Sequence, residues 1–227
     1  MFHDRAEAGR RLAAKLAHYK GQDVVVFALP RGGVPVAEPI AAMLHAPLDL
    51  VLARKIGVPR QPELAMGAVA DGGSPVVVRN EDVIAMSSVD EAEFDAVCRR
   101  EMAEIERRRR RYLGTRTPGE AEGRVAIVVD DGVATGATTR AALRAVRARK
   151  PKTLVLAVPV APPDALEALE READETVCVE VHSDFGAIGY FYAEFHQIDD
   201  HEVIAILDRF RSSEGKTKHS PSRPRQE

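Results

Sequence analysis

Residues 125–139 read VAIVVDDGVATGATT: an apolar run, two adjacent carboxylates, and a small-residue loop carrying hydroxyls. Val125–Val129 shows no polar alternation, and Ala142, Leu143 and Val146 follow at helical spacing. That combination predicts a strand buried on both faces that feeds a helix, as in a parallel sheet. The loop between them then lies at the carboxyl end of the strand. Gly136 and Ala137 leave room for close approach, Thr135, Thr138 and Thr139 offer hydroxyls, and the first amides of the helix point outward unpaired. Together these make a cradle for a phosphate. Asp130 and Asp131 stand just ahead of it. Carboxylates disfavour phosphate but accept hydrogen bonds from sugar hydroxyls, so the whole stretch points to a ribose 5-phosphate. The loop lacks the Gly-Lys-Ser/Thr ending of a P-loop, and Gly-x-Gly-x-x-Gly follows none of the expected strands. Nucleoside triphosphate and dinucleotide sites are therefore disfavoured.

Outward from this stretch, strand and helix signals alternate. They predict an α/β fold, a doubly wound and mainly parallel sheet of about five strands with flanking helices. A helix is expected over 5–19, with Asp4 as its cap and Gly21 as its stop. Strands are expected at Val24–Ala28, Leu48–Ala53, Val125–Val129, Thr153–Val158 and Thr176–Val181. After the first, Leu29-Pro30-Arg31-Gly32-Gly33 leads into a helix carrying Val36, Ile40 and Met43. Apolar runs at Ala65–Ala70 and Pro75–Arg79 flank Asp71-Gly72-Gly73, a hairpin signal. Residues 90–113 carry Phe94, Cys98, Met102 and Ile105 on one helical stripe and close in a run of arginines, Arg107 to Arg111. Interleaved glutamates, and the favourable position of cations at a helix carboxyl end, mark this run as a solvated helix end rather than a nucleic-acid patch. A last helix is expected near 200–210. A single domain over residues 1–211 results, and the polar, Pro-containing segment 212–227 is expected to be a disordered tail.

With 227 residues, 45% of them hydrophobic, the chain can bury a sizeable core. No apolar run approaches the roughly 20 residues that span a bilayer, and MFHDRAEAGRR lacks the apolar core of a signal peptide. The expectation is a cytoplasmic protein with no membrane partner. A net charge of −3 argues against bulk attraction to nucleic acid. Cys98 and Cys178 lie far apart with no Cys-x-x-Cys or Cys-x-x-His partner, so both read as buried thiols outside any metal knuckle or disulfide framework.

The pattern hydrophobic–Asp–Asp–x–x–Ala–Thr–Gly–x–Thr over 129–138 resembles the binding motif for 5-phosphoribosyl 1-pyrophosphate (PRPP) in type I phosphoribosyltransferases. The resemblance implies that family's fold with a small hood, here the amino-terminal helix and residues 182–210, and with 90–113 as an inserted helix. It implies that Asp130 and Asp131 hold the ribose 2- and 3-hydroxyls, and that Ala134, Thr135, Gly136, Ala137, Thr138 and Thr139 wrap the 5-phosphate. Arg31-Gly32-Gly33 is similar to the family's pyrophosphate loop. Arg54-Lys55, in ARKIGVPRQPELAMG, resembles the start of the mobile catalytic loop of adenine and orotate phosphoribosyltransferases. Arg54 and Lys55 would then neutralise the leaving pyrophosphate. Gly57, Pro59 and Pro62 suit a lid without regular structure, and Glu63 within it is a candidate general acid or base. The reaction implied is displacement at the anomeric carbon of PRPP by a nitrogen nucleophile. Mg²⁺ would be carried by the substrate phosphates near Asp130 and Asp131 rather than by a cage of protein ligands. Family members are often dimers, so a homodimer belongs to the same expectation.

The segment DFGAIGYFYAEFHQIDDHEVIAI, from Asp184, resembles the hood strand of hypoxanthine-guanine phosphoribosyltransferases, which suggests Phe185, Ile188 and Tyr190 as base-binding residues. The sequence departs from that pattern twice. The metal-contacting aspartate expected soon after Gly189-Tyr190 falls at Ala193, with Glu194 beside it. Where 6-oxopurine enzymes carry an aspartate in the PRPP loop, this chain has Ala134, as adenine and orotate enzymes do. His182 and His196 flank the hood segment and read as hydrogen-bonded strand ends. Two functions stay open: a Mg²⁺-dependent phosphoribosyltransferase acting on a nitrogenous base, and a non-catalytic PRPP-binding regulator of nucleotide metabolism.

Overall fold

Strand β1 (Val24–Ala28) and a later strand, Val125–Val129, are buried at every residue, as expected for strands covered on both faces. In chain order the elements are α1 (Arg5–Lys15), β1, α2 (Gly33–Leu44), β2 (Leu48–Leu50), β3 (Ala53–Val58), β4 (Gln61–Ala70), β5 (Val76–Arg79), α3 (Glu81–Met86) and α4 (Glu91–Leu113). They continue with β6 (Val125–Val129), α5 (Ala137–Arg147), β7 (Thr153–Ala161), α6 (Pro163–Glu170), β8 (Glu175–Val181) and α7 (Asp200–Thr217). This computed structural model describes residues 1–71, 75–114 and 119–217, with side chains described to Phe210. Five strands form one parallel sheet in the order β2-β1-β6-β7-β8, and β3-β4-β5 form a separate antiparallel sheet.

The alternation within β1 sorts the core into two layers. Val24, Val26 and Ala28 face Leu12 of α1, Leu16 just after it, and Val36 and Ile40 of α2, together with Val203, Ile206 and Leu207 of α7. Val25 and Phe27 face the other way, onto Ala141, Leu143, Ala145 and Val146 of α5. Among the described residues, no helix is long and apolar enough to cross a membrane. Cys98 is buried, and the half-buried Cys178 directs its thiol to the carbonyl of Glu180 (3.2 Å).

Three expectations need correction. The segment expected as a lid without regular structure is a β-ribbon, with β3 and β4 paired antiparallel around a turn at Pro59 and Arg60. Ile56, Val58, Met66 and Val69 bury against Phe94 and Val97 of α4, and this packing outweighs the turn-forming prolines. The ribbon requires glycine at position 57, since a Cβ there would overlap the backbone of Pro62, and the register shifts at that point. Ala53 accordingly opens β3 instead of closing β2. The hood is not a strand: between Asp184 and Asp199 it forms one 3-10 turn, Ile188–Phe191, and an isolated bridge from Phe2 to Tyr192. Finally, α7 runs on to Thr217, because residues 212–217 hold no proline and each added helical residue costs little. Of the tail expected at 212–227, residues 218–227 lie outside the described ones, as do Gly72 and Gly73 of the hairpin signal, whose flanking strands β4 and β5 do pair antiparallel. The first helix ends at Lys15, and a 3-10 turn, Ala17–Tyr19, completes the span to Gly21.

Candidate active site

β1 and β6 are neighbours in the sheet, yet the chain leaves them in opposite directions. β1 continues through α2 to β2 on one side, and β6 through α5 to β7 on the other. Their carboxyl ends border a crevice at the switch point, where open α/β sheets take ligands. The amide of Leu29 donates to the carbonyl of Val129 (2.9 Å), which sets the two following loops side by side. Gly32 then lies so close to Asp131 that a Cβ at this position would overlap the carboxylate, and a Cβ on Gly33 would crowd the carbonyl of Val129. Both glycines of the Arg31-Gly32-Gly33 triplet are thus required by close approach, and the triplet and the aspartate pair form one site.

Asp130 accepts the amide of Asp131 on Oδ1 (2.9 Å). Burial, and next the neighbouring charge of Asp131, hold the Asp130 carboxyl well above the ordinary carboxylate range. Burial raises Asp131 as well, against the lowering pull of Arg5. The Nε of Arg5 donates to Asp131 Oδ2 (2.8 Å), and its Nη1 donates to the carbonyl of His196 (2.9 Å). Its guanidinium stacks 3.8 Å from the centroid of Phe195. The Tyr192 hydroxyl donates to the carbonyl of Asp131 (2.7 Å). Arg5, Arg31, Gly32 and Asp131, with residues 195–198, line a cavity of 410 Å³.

The loop after Asp131 opens α5 at Gly136, in the left-handed region at φ 75°, and no side chain caps that helix. Its first amides are left for a ligand or water. Ala134 and Thr135 are exposed, Ala137 and Thr138 half-buried, and Thr139 buried. This loop lies outside the cavity lining.

Arg31, whose Nη1 lies 3.8 Å from Asp200 Oδ1, is only loosely held. Asp200 already receives the Tyr112 hydroxyl (2.5 Å) and the Nε of Arg111 (2.8 Å). Burial and this hydrogen bond push the Tyr112 hydroxyl up to about 12, so it stays a donor. Four arginines of the run are ion-paired: Arg107 and Arg108 bind Glu104, Arg110 binds Glu106 and Arg111 binds Asp200. The two arginines on Glu104 hold its carboxyl down at about 2.

Arg54, Lys55 and Glu63 sit on the small sheet with partners of their own. Arg54 Nε pairs with the buried Glu101 (2.5 Å), and Lys55 Nζ pairs with Glu63 (2.9 Å), whose side chain is 98% exposed. Among the described residues none of the three forms a hydrogen bond or ion pair with Asp130, Asp131 or Arg31. In the hood, Phe185 stacks on Phe191 (4.9 Å between centroids), Ile188 fills the space over Gly132, and Tyr190 is 73% exposed. His182 and His196 pair with Glu180 and Glu202.

A model of the phosphoribosyl transferase domain matches residues 2–195 of this sequence. The chain belongs to the phosphoribosyl transferase domain family. Two Mycobacterium tuberculosis proteins, from strains CDC 1551 / Oshkosh and ATCC 25618 / H37Rv, are each provisionally named a phosphoribosyl transferase. Each is 47% identical to this chain over 209 residues, 92% of this chain and 47% of theirs. The chain therefore spans about half the length of the curated relatives it matches. The crystal structure of TT1426 from Thermus thermophilus superposes with a TM-score of 0.78 at 41% identity, covering 92% of this chain and 99% of that one. The five-stranded parallel sheet with its flanking helices is the type I phosphoribosyltransferase fold.

One residue of this site, Arg5, escapes a motif-based reading of the family's loops. It carries a local signal nonetheless. Asp4 caps α1, so Arg5 is a cation in the first turn of a helix, where the macrodipole disfavours it. A residue placed against its local preference marks a tertiary demand, here the Asp131 carboxylate.

Proposed function

We propose that this domain transfers the 5-phosphoribosyl group from PRPP to a nitrogenous base and releases pyrophosphate. The observation that carries the reading is the contact between Gly32 and Asp131, which joins a guanidinium-bearing glycine loop to a carboxylate pair beside an uncapped helix start. A ribose with a phosphate at each end needs that sequence of groups. Asp130 and Asp131 accept hydrogen bonds from the ribose hydroxyls. Each carboxylate oxygen has two lone-pair sites, so Asp131 has acceptor capacity beyond Arg5. The amides and hydroxyls of 135–138 take the 5-phosphate, and Arg31 with the Gly32 loop takes the diphosphate. Orientation and charge neutralisation then favour departure of pyrophosphate from the anomeric carbon.

Mg²⁺ fits this donor set. The carboxylates are hard oxygen donors, and among the described residues no group of three acidic, histidine or cysteine side chains is able to cage an ion alone. Asp130 and Asp131 would hold it together with the substrate oxygens, and when bound it neutralises charge on the leaving diphosphate. Phe185 and Ile188 are the base-side residues we propose, and a cytoplasmic homodimer extends the same reading.

Thermal unfolding with PRPP and Mg²⁺, followed by pyrophosphate release against a panel of purines, pyrimidines and related bases, tests the proposal. The expected result is a PRPP-dependent rise in Tm with turnover on one base. A rise without turnover on any base would favour a PRPP-binding regulator, and no rise at saturating PRPP would overturn the reading.

A further inference from the structure

Arg5 is nearly buried and yet does not spend all of its donors on the protein. Its side chain is 8% exposed, and its Nε and Nη1 donate to Asp131 and to the carbonyl of His196. A guanidinium has five N–H donors in one plane, and the Nη2 of Arg5 has no hydrogen-bond partner among the described residues. The rings of Phe195 and Tyr192 lie over the group, their centroids 3.8 Å and 5.9 Å from its central carbon, and hold the guanidinium in place. Arg5 instead lines the same cavity as Arg31 and Gly32. Two guanidinia border that space, and Asp131 is the carboxylate that lines it. The nearest acid to Arg31, Asp200, is already engaged by Tyr112 and Arg111. A cavity with more cationic donors than acceptors is built for an anion with several oxygens.

We propose that Arg5 is a direct ligand of the diphosphate, donating from Nη2 to one of its oxygens while its Nε holds Asp131, so that Arg5 and Arg31 grip the leaving group from one cavity. The inference rests on the PRPP reading given above and extends it to a residue outside the family's named loops. One planar group then serves both halves of the site: the carboxylate that meets the ribose and the phosphates that leave.

The test uses the full chain and two probes in titration calorimetry, inorganic pyrophosphate with Mg²⁺ and ribose 5-phosphate. Arg5→Lys keeps a cation beside Asp131 but loses the planar fork, so pyrophosphate affinity should fall about tenfold while ribose 5-phosphate affinity stays within about threefold. Arg5→Gln should lose pyrophosphate affinity further, and a folded Tm for both variants guards against simple unfolding. Equal loss of both probes in Arg5→Lys would overturn the proposal, since Arg5 would then act only by holding Asp131. Unchanged pyrophosphate affinity would overturn it too. If wild-type protein binds ribose 5-phosphate but not pyrophosphate, the proposal about Arg5 fails while the ribose site stands. If it binds neither probe nor PRPP, the parent reading fails with it.

Discussion

The β6–α5 loop and the hood reach the same aspartate by opposite means. From Asp130 to Thr139 every group of interest is contiguous, and the backbone of one strand end and one helix start arranges it. The hood is assembled from pieces far apart in the chain. The amide of Phe2 donates to the carbonyl of Phe191, the amides of Ala193 and Glu194 donate to the carbonyls of Phe2 and His3, and Arg5 and Tyr192 close on Asp131. The carboxylate and helix-start half of the site is thus local in sequence, whereas the half closed by Arg5, Tyr192 and Phe195 depends on tertiary contact.

If that contrast holds, damage within the loop should abolish PRPP binding, and damage in the hood should only weaken it. The largest effect is expected for Asp130→Asn combined with Asp131→Asn. Loss of the pair's charge and of its carboxyl acceptor oxygens should reduce PRPP affinity by about a hundredfold or more, measured by calorimetry. Gly32→Ala comes next. Its new methyl group overlaps the Asp131 carboxylate, so affinity should drop by about tenfold or more although no charged or hydrogen-bonding side chain is removed. An unaffected Gly32→Ala would break the claim that the two loops form one site.

The single variant Asp130→Asn separates stability from binding. The folded-state pKa of Asp130 is raised, so the folded protein favours the protonated form, and stability is lost as pH climbs from the unfolded value toward the folded one. Neutral Asn removes that penalty and keeps an acceptor for the Asp131 amide. Its Tm at pH 7 should exceed that of wild type by about 2–4 °C, the change that ~1 kcal/mol makes in a domain of this size, and the gain should vanish near pH 4. The smallest effect belongs to the hood. Tyr192→Phe deletes one donor to a backbone carbonyl, worth about 1 kcal/mol, so PRPP affinity should fall no more than about fivefold. A hundredfold loss there would put hood and loop on an equal footing.

What was legible in the sequence follows the same divide. Val24–Ala28 and Val125–Val129 fall where the apolar runs end, because strands buried on both faces admit no polar interruption. Helix α4 begins at its Asp90–Glu93 capping box and ends with the arginines, since both signals are local. The ribbon at 53–70 escaped because Gly57, Pro59 and Pro62 advertise irregularity, while the force that orders it comes from Phe94 and Val97, more than thirty residues downstream. The hood strand expected at 184 onward has no neighbouring strand to pair with along its length, so its apolar residues fold into ring contacts instead. Arg5 stayed hidden because its partner lies 126 positions away.

The want of a ladder in the hood also bears on how such domains diverge. In a paired strand, inserting one residue turns every later side chain to the opposite face. Between Asp184 and Asp199 there is no register to lose, and the segment is held at separate points, by Phe2 and His3, by Arg5 on the carbonyl of His196, by the carbonyl of Asp131 and by Ile188 over Gly132. A change of length between those points therefore acts locally and does not turn the side chains beyond it to the other face. On the proposed function, the hood is then the part of the site where length and acceptor contacts can change without disturbing the ribose end.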